Sequence, residues 1–137
     1  MKALLLLLPI LPVMLVAAPQ NPTPRDRVGA VIAQLQSDRA PTAFADFFKD
    51  SLMASQKETL LRAMDGQAKG AFEFYGKPKT YEILSEEKFG ENLVRIKWLT
   101  KHNDEVPMFW NCLFYLRKGR WEALSIVFND SPQTAGI

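Results

Sequence analysis

Three polar residues in the last third of the chain are the strongest candidates for chemistry, because each falls where its neighbours predict core side chains. They are Asn111, Tyr115 and Glu122, and they lie in runs that alternate apolar and polar residues as strands do. A tyrosine hydroxyl beside a carboxylate can give and take protons in an isomerase or lyase. An amide and a phenol can instead line a ligand pocket, or form structural hydrogen bonds at the rim of a sheet. These three interpretations stay open at this point.

Other catalytic and metal chemistry has little support. His102 is the only histidine and Cys112 the only cysteine, and a zinc site or a Cys–His nucleophile needs such residues to converge. We expect His102 to be a solvated turn residue and Cys112 a buried small hydrophobic side chain; a reactive thiol or an intermolecular disulfide is the alternative. The sequence contains no Gly-rich phosphate loop and no nucleophile elbow. We therefore expect no metal and no cofactor.

The N-terminal residues have the pattern of an export signal. A basic start precedes an apolar stretch, residues 3–18, which ends in small residues before a Pro-rich spacer, residues 19–24. A membrane-spanning helix needs about 20 apolar residues, and this stretch is shorter and contains two prolines. A cleaved signal peptide, residues 1–18, is therefore favoured over an uncleaved membrane anchor. We expect an exported protein, periplasmic or secreted, with no membrane attachment after cleavage.

Length and charge limit the function further. Removing 18 residues from 137 leaves about 119, enough for one domain with its own core, predicted at residues 25–130 with a flexible tail at 131–137. Without Lys2, 16 of the 17 basic residues remain against 15 acidic ones, so the mature net charge is near +1. A nearly neutral domain lacks the basic surface that nucleic-acid binding needs. No nucleic-acid partner is expected.

Three helices are predicted ahead of the sheet. Thr23 is a good N-cap for a first amphipathic helix, and a short second helix carries three phenylalanines on one face. Ser55 and Glu58 have the spacing of a capping box that begins the third. Glycine inside a helix costs about 1 kcal/mol relative to alanine, so we expect this helix to break or bend near residues 64–66.

Strands are predicted from residue 79 onward. A first strand is followed by three aromatic-rich segments, residues 92–100, 106–117 and 120–128, joined by two short polar turns. The predicted fold class is α+β, with three N-terminal helices packed on a curved antiparallel sheet of about four strands, in a cone-like arrangement.

Two turn lengths set the predicted register. A two-residue turn at Lys118 and a four-residue loop at residues 102–105 both place the same face of the sheet against the helices. The predicted inner face consists of Val94, Ile96, Trp98, Phe109, Leu113, Leu124, Ile126 and Phe128. The candidates for a ligand pocket on this face are Trp98, Asn111, Tyr115 and Glu122. The alternative is a cone filled by aromatic side chains, with no pocket.

The predicted outer face is too apolar for contact with water alone. It contains the five interface candidates Arg95, Lys97, Trp110, Phe114 and Trp121. An exposed apolar sheet face is typical of a partner surface, so we predict a homodimer through it. The alternative is a monomer in which the ammonium of Lys97 lies over the indole of Trp110.

The order of the elements and the closing run of the chain resemble the nuclear transport factor 2-like superfamily. The run consists of Phe114, Tyr115, Gly119, Trp121, Leu124, Ile126, Phe128 and Asp130. The resemblance implies a cone-shaped α+β fold, often dimeric through the outer side of the sheet, with a cavity that some members use for ligands. Enzymes of that superfamily place acidic, tyrosine or histidine residues in the cone, a pattern not matched residue by residue here.

These observations favour an exported, non-enzymatic domain that binds a small hydrophobic ligand or a protein partner. The alternative is an isomerase- or lyase-type enzyme in which Tyr115 and Glu122 act as proton donor and acceptor inside the cone.

Overall fold

The computed structural model describes residues 21–137, in which helices precede a four-stranded antiparallel sheet. The predicted α+β class and this order of elements are confirmed. The predicted signal peptide, residues 1–18, lies outside the described residues. Within residues 21–137, no helix combines the length and apolar character needed to cross a membrane.

Four α-helices precede the sheet, where three were predicted. They are α1 (Pro24–Gln36), α2 (Ala43–Phe47), α3 (Leu52–Gln56) and α4 (Glu58–Tyr75), with a 3-10 turn at Ala40–Thr42. Helix α1 begins with the predicted N-cap, since Thr23 Oγ1 accepts a hydrogen bond from the Asp26 N–H at 3.2 Å. The Asp26 carboxylate in turn accepts a hydrogen bond from the Thr23 N–H at 2.9 Å, which completes a capping box.

The prediction for the third helix was wrong in two respects. Ser55 is not an N-cap: its hydroxyl donates to the Leu52 carbonyl inside α3, and Ser51 caps that helix instead. Helix α4 begins two residues after α3 and continues through Gly66 without a break. Its apolar stripe of Leu61, Met64 and Ala68 is buried, and that packing offsets the helix propensity lost at glycine.

The sheet has strands in sequence order, each antiparallel to the next. They are β1 (Thr80–Phe89), β2 (Leu93–Lys101), β3 (Pro107–Arg117) and β4 (Arg120–Asn129). The predicted two-residue turn is confirmed, because Arg117 faces Arg120 and both turn residues have positive φ, 51° at Lys118 and 74° at Gly119. Two consecutive positive φ values are typical of a type I′ hairpin turn.

The loop between β2 and β3 is one residue longer than predicted. Lys101 faces Pro107 instead of Val106, so Trp98 faces Trp110 instead of Phe109. The loop closes through a hydrogen bond of 2.9 Å from the His102 N–H to the Val106 carbonyl. Since strand side chains alternate between faces, this one-residue shift turns every side chain of β3 to the opposite face.

The burial of β3 follows from this shift. Trp110, Cys112 and Phe114 are fully buried against the helices, whereas Phe109 and Leu113 are partly exposed on the outer face. The predicted core positions of Phe109 and Leu113 were therefore wrong, and so were the predicted outer positions of Trp110 and Phe114. The predicted burial of Cys112 is confirmed.

A β-bulge in β4 shifts the register by one residue, so the side chains after the bulge lie on the faces that were predicted for them. Phe114 faces Ala123, yet the preceding residue of β3 faces Ser125, so Leu124 is an extra residue on its strand. After the bulge, Ile126 and Phe128 lie on the inner face and are buried, as predicted. Leu124, also predicted to be in the core, remains partly exposed.

Aromatic rings fill the space between sheet and helices. The indoles of Trp98 and Trp110 stack with centroids 5.7 Å apart and planes within 6°. Phe128 stacks on Trp110 at 4.6 Å, and Phe44 of α2 stacks on Phe128 at 5.7 Å. Large buried aromatic side chains dominate the energetics of a small core, so this cluster is the main link between the helices and the sheet.

The C-terminal segment, residues 131–137, was predicted to be a flexible tail. In the structure it forms turns, with the Ala135 N–H donating to the Ser131 carbonyl at 3.1 Å. Ala135 is 1 % exposed, and its carbonyl accepts a hydrogen bond from Asn111 Nδ2 at 3.2 Å. The segment thus covers part of the outer sheet face.

Candidate functional site

The four predicted pocket residues do not converge. Trp98 is fully buried in the aromatic core, while Asn111 and Tyr115 lie on the outer face of β3. Glu122 is 3 % exposed and is held by Arg117. The predicted pocket between sheet and helices was wrong because its register placed β3 with the wrong face inward.

Tyr115 and Glu122 face each other across β3 and β4, as predicted. The Glu122 carboxylate accepts a hydrogen bond of 2.8 Å from Arg117 Nε, and this bond raises the pKa of Arg117. Arg117 also donates to the Asp50 carbonyl at 3.4 Å, between α2 and α3. Glu122 is therefore the partner of an arginine that joins the end of the sheet to the helices.

His102 is 1 % exposed, so its predicted position in a solvated turn was wrong. Its Nδ1 lies 2.7 Å from the Gly76 carbonyl, and its Nε2 lies 2.8 Å from Thr100 Oγ1. A carbonyl can only accept, so Nδ1 carries the proton and the neutral ring accepts at Nε2 from the threonine hydroxyl. Thr100 Oγ1 in turn accepts from Trp110 Nε1 at 2.8 Å. Burial lowers the pKa of His102.

This buried chain of hydrogen bonds links separate elements of the fold. It joins β2 and β3 to the C-terminal end of α4, and the His102 ring also packs against Phe72 of that helix at 5.6 Å between centroids. Gly76 accepts the histidine bond with φ of +83°, a conformation that favours glycine. This link could not be predicted from the sequence, because no local pattern connects residues 26 positions apart.

A groove of about 540 Å³ opens between the C-terminal end of α1 and the side of α4. Ala40 and Pro41 line it on one side, and Gly66, Ala68 and Phe72 line it on the other. Ligand pockets in proteins usually measure about 300 to 1,000 Å³ and have mainly apolar walls with a few polar groups. The groove has a volume within this range, and its walls are mainly apolar.

Local structure explains why the groove forms. Helix α1 ends at Gln36, and the extended backbone of the next residue, Ser37, turns the chain away from the helix axis. Lys77 ties this turn to the end of α4, donating from Nζ to the Ser37 carbonyl at 3.3 Å. A Cβ added at Gly66 would meet no atom within 4 Å, so the wall is open at this position. The prediction of a break or bend near Gly66 did not include this opening, although a glycine inside a continuous apolar stripe was a signal for it.

The polar groups of the groove are carboxylates and ammonium groups. Lys69 Nζ lies 4.0 Å from Glu73, and Lys77 Nζ lies 4.0 Å from Asp38. Asp65 differs from these pairs, because its Oδ1 is shielded from solvent and has no hydrogen-bond partner in the part of the chain that the structure describes. Burial raises the pKa of Asp65. The groove therefore combines apolar walls with one carboxylate that lacks a partner.

A smaller groove of about 270 Å³ lies beside the start of α1 and is lined by residues that include Arg27 and Trp121. The Arg27 guanidinium donates to the carbonyls of Phe47 and Trp121, and burial lowers its pKa. These bonds connect α1 with α2 and β4. We interpret Arg27 as a structural residue.

Across residues 21–137, no group of three or more His, Cys, Asp and Glu side chains is placed to hold a metal ion. The interface candidates are divided between the two faces. Arg95 and Lys97 lie on the outer face near Glu87, with nitrogen–oxygen distances of 3.9 Å and 3.3 Å. Trp121 packs against the core cluster. The predicted contact of Lys97 with the indole of Trp110 was wrong, since these side chains are on opposite faces.

Comparison with known proteins gives one structural neighbour. No protein-family model matches this chain, and no curated protein matches it. The crystal structure of a DUF4783 family protein from Bacteroides uniformis is similar, with a TM-score of 0.51 and 11% sequence identity. The match covers 75% of this chain and 95% of that one. At this identity the likeness shows the fold alone, helices followed by an antiparallel sheet.

Proposed function

We propose that this protein is an exported, non-enzymatic domain that binds a small hydrophobic ligand in the groove between α1 and α4. The observation that carries the proposal is the groove itself, about 540 Å³ with apolar walls. The export signal predicted from the sequence supports a role in the periplasm or outside the cell.

The geometry favours binding over the isomerase- or lyase-type alternative. That alternative needs Tyr115 and Glu122 in an enclosed cavity, where a carboxyl group can exchange protons with a substrate. Neither residue lines either of the two grooves, and the carboxylate of Glu122 is engaged by Arg117. We therefore assign these residues to the structure of the sheet.

Membership of the nuclear transport factor 2-like superfamily is part of the same proposal. Helices that precede an antiparallel sheet support it. Because Trp98, Trp110 and Phe128 fill the space beneath the sheet, the ligand site we propose lies beside α4 and not inside a cone.

A substitution at Gly66 tests the groove. Gly66→Leu places a side chain in the open wall, and we expect it to weaken binding of the neutral apolar dye Nile red at least about tenfold, the effect of losing about 1.4 kcal/mol of contact. Fluorescence titration of the purified protein measures the affinity. Unchanged affinity in this variant would place the dye elsewhere and remove the proposal.

Gly70→Leu is the matched control. Gly70 lies in the same helix, an added Cβ there also meets no atom within 4 Å, and it is not part of the groove lining. Replacing glycine by leucine inside a helix should stabilise both variants by about 0.5 to 1 kcal/mol. We expect only Gly66→Leu to lose dye binding, so that a general effect on folding is separated from a blocked groove.

A second candidate function is homodimerisation through the outer sheet face. The residues that β3 contributes to this face differ from the predicted ones. With Trp110 and Phe114 in the core, the apolar residues of this face are Leu93, Leu99, Phe109, Leu113 and Tyr115, all partly exposed. Five such side chains on two neighbouring strands form an apolar surface that a second copy of the chain would cover.

Light scattering tests the dimer. We expect the purified protein to be dimeric at about 100 μM and Leu113→Glu to be monomeric, because a carboxylate at a buried interface costs several kcal/mol. Leu60→Glu is the control, since Leu60 is 44% exposed on α4 and away from the sheet. A monomer in the unsubstituted protein would refute the dimer and leave the groove proposal intact.

A further inference from the structure

The charges in the groove indicate what its ligand carries, and this inference rests on the function proposed above. Three carboxylates and two ammonium groups line the groove. Each ammonium group lies 4.0 Å from one carboxylate. The groove therefore has one negative charge in excess, that of Asp65. Among residues 21–137, its Oδ1 has no hydrogen-bond partner.

Asp65 is a partly buried carboxylate with no positive partner among residues 21–137, and an opposite charge within about 4 to 6 Å favours the ionised form of such a group. An ammonium group bound beside this carboxylate supplies the opposite charge. An anionic ligand would instead place like charges together in the groove. The unpaired group therefore selects for a cation.

The aromatic residue of the groove supports the same choice. Phe72 lies seven residues after Asp65 in α4, which is close to two helical turns, so both side chains are on one side of the helix. The face of an aromatic ring attracts a cation within about 6 Å of its centroid. Ala40 and Pro41 opposite them offer only apolar contact.

We propose that the ligand is a small apolar amine. Its protonated amino group pairs with Asp65, and its apolar body lies between the 3-10 turn at Ala40–Thr42 and the wall of α4 at Gly66 and Ala68.

The test uses three probes with the same apolar body and different head groups: phenylbutylamine, phenylbutanol and phenylbutyrate. Binding to the purified protein is measured by isothermal titration calorimetry. We expect the amine to bind about fivefold more tightly than the alcohol, the ratio that a partly shielded ion pair gives. The carboxylate should bind most weakly.

Asp65→Asn should remove the preference for the amine, so that amine and alcohol bind with about equal affinity. Its free energy of unfolding should be equal to that of the parent or higher, since the variant removes a charge that has no partner. Glu73→Gln is the matched control, because this carboxylate lines the same groove near Lys69 and is 70% exposed in its side chain. We expect the control to keep the preference for the amine.

The two proposals fail in different ways. If the parent binds amine and alcohol equally, or if Asp65→Asn keeps the preference, the amine inference is wrong. Provided that Gly66→Leu weakens binding of the probes, the groove then remains the ligand site. If none of the three probes binds the parent protein, the amine inference is wrong, and the Nile red titration of Gly66→Leu alone decides the groove proposal.

Discussion

Replacing Trp110 with alanine should cost about 3 to 5 kcal/mol of the free energy of unfolding, the usual effect of removing a large aromatic side chain from a core. Trp110 stacks between Trp98 and Phe128 and donates to Thr100 Oγ1, so the change opens a cavity and removes a buried hydrogen bond. A domain of this size is stable by about 5 to 15 kcal/mol, so the variant should be close to unfolding at 37 °C. Urea denaturation followed by circular dichroism measures the loss.

Phe109→Ala is the control that makes this a test of the register. Phe109 is the neighbour of Trp110 in β3 and lies on the opposite, partly exposed face. We expect it to cost about 1 kcal/mol, within the ordinary range for a substitution outside the core. Equal losses in the two variants, or a larger loss at Phe109, would favour the register in which Phe109 faces the helices, and would contradict the structure.

The second large effect is expected at His102. His102→Ala should cost about 2 to 4 kcal/mol, because it leaves the Thr100 hydroxyl and the Gly76 carbonyl without their partner, and a buried polar group without a hydrogen bond costs about 1 to 3 kcal/mol. Urea denaturation at pH 8 measures this loss. Lys101→Ala is the control, since this neighbour of His102 is exposed.

The same residue should make the stability of the parent depend on pH. Burial lowers the pKa of His102 below its ordinary value of 6.5, so in acid the unfolded chain binds a proton that the folded protein does not. This contribution is fully present above pH 6.5 and is lost as the pH falls from 6.5 toward the lower pKa of the folded state. His102 is the only histidine, so His102→Ala should have a flatter profile than the parent between about pH 7 and 5. Parallel profiles would show that the ring is not buried in its neutral form.

The two turns of the sheet illustrate what local sequence can and cannot fix. The turn at Lys118 and Gly119 was predicted correctly, because a two-residue hairpin turn depends on φ preferences of the turn residues themselves. The loop after Lys101 was not, because its length is decided by His102, which turns inward to bond with Gly76. A contact with a residue distant in the sequence cannot be recognised from the loop residues alone.

The candidate groove could not be predicted for a related reason. Glycine has a low helix propensity, so Gly66 by itself favours a break in the helix. The helix continues because Leu61, Met64 and Ala68 pack in the core. Once it does, the missing side chain becomes an opening in the wall. Asp65 reads as an ordinary surface carboxylate, and its lack of a partner depends on where the turn after α1 lies.

The sequence by itself determined the order of helices and strands, the cap of α1, the hairpin turn and the buried face of β2, since caps, φ preferences and apolar periodicity are local properties. Only the tertiary structure decided which face of β3 is buried. Both sets of alternating residues in β3 contain large apolar side chains, and the polar Asn111 and Tyr115 in the set with Phe109 did not outweigh the register that the predicted loop lengths set. One extra loop residue, stabilised by the buried bonds of His102, selects the face with Trp110 and leaves the face with Phe109 outside.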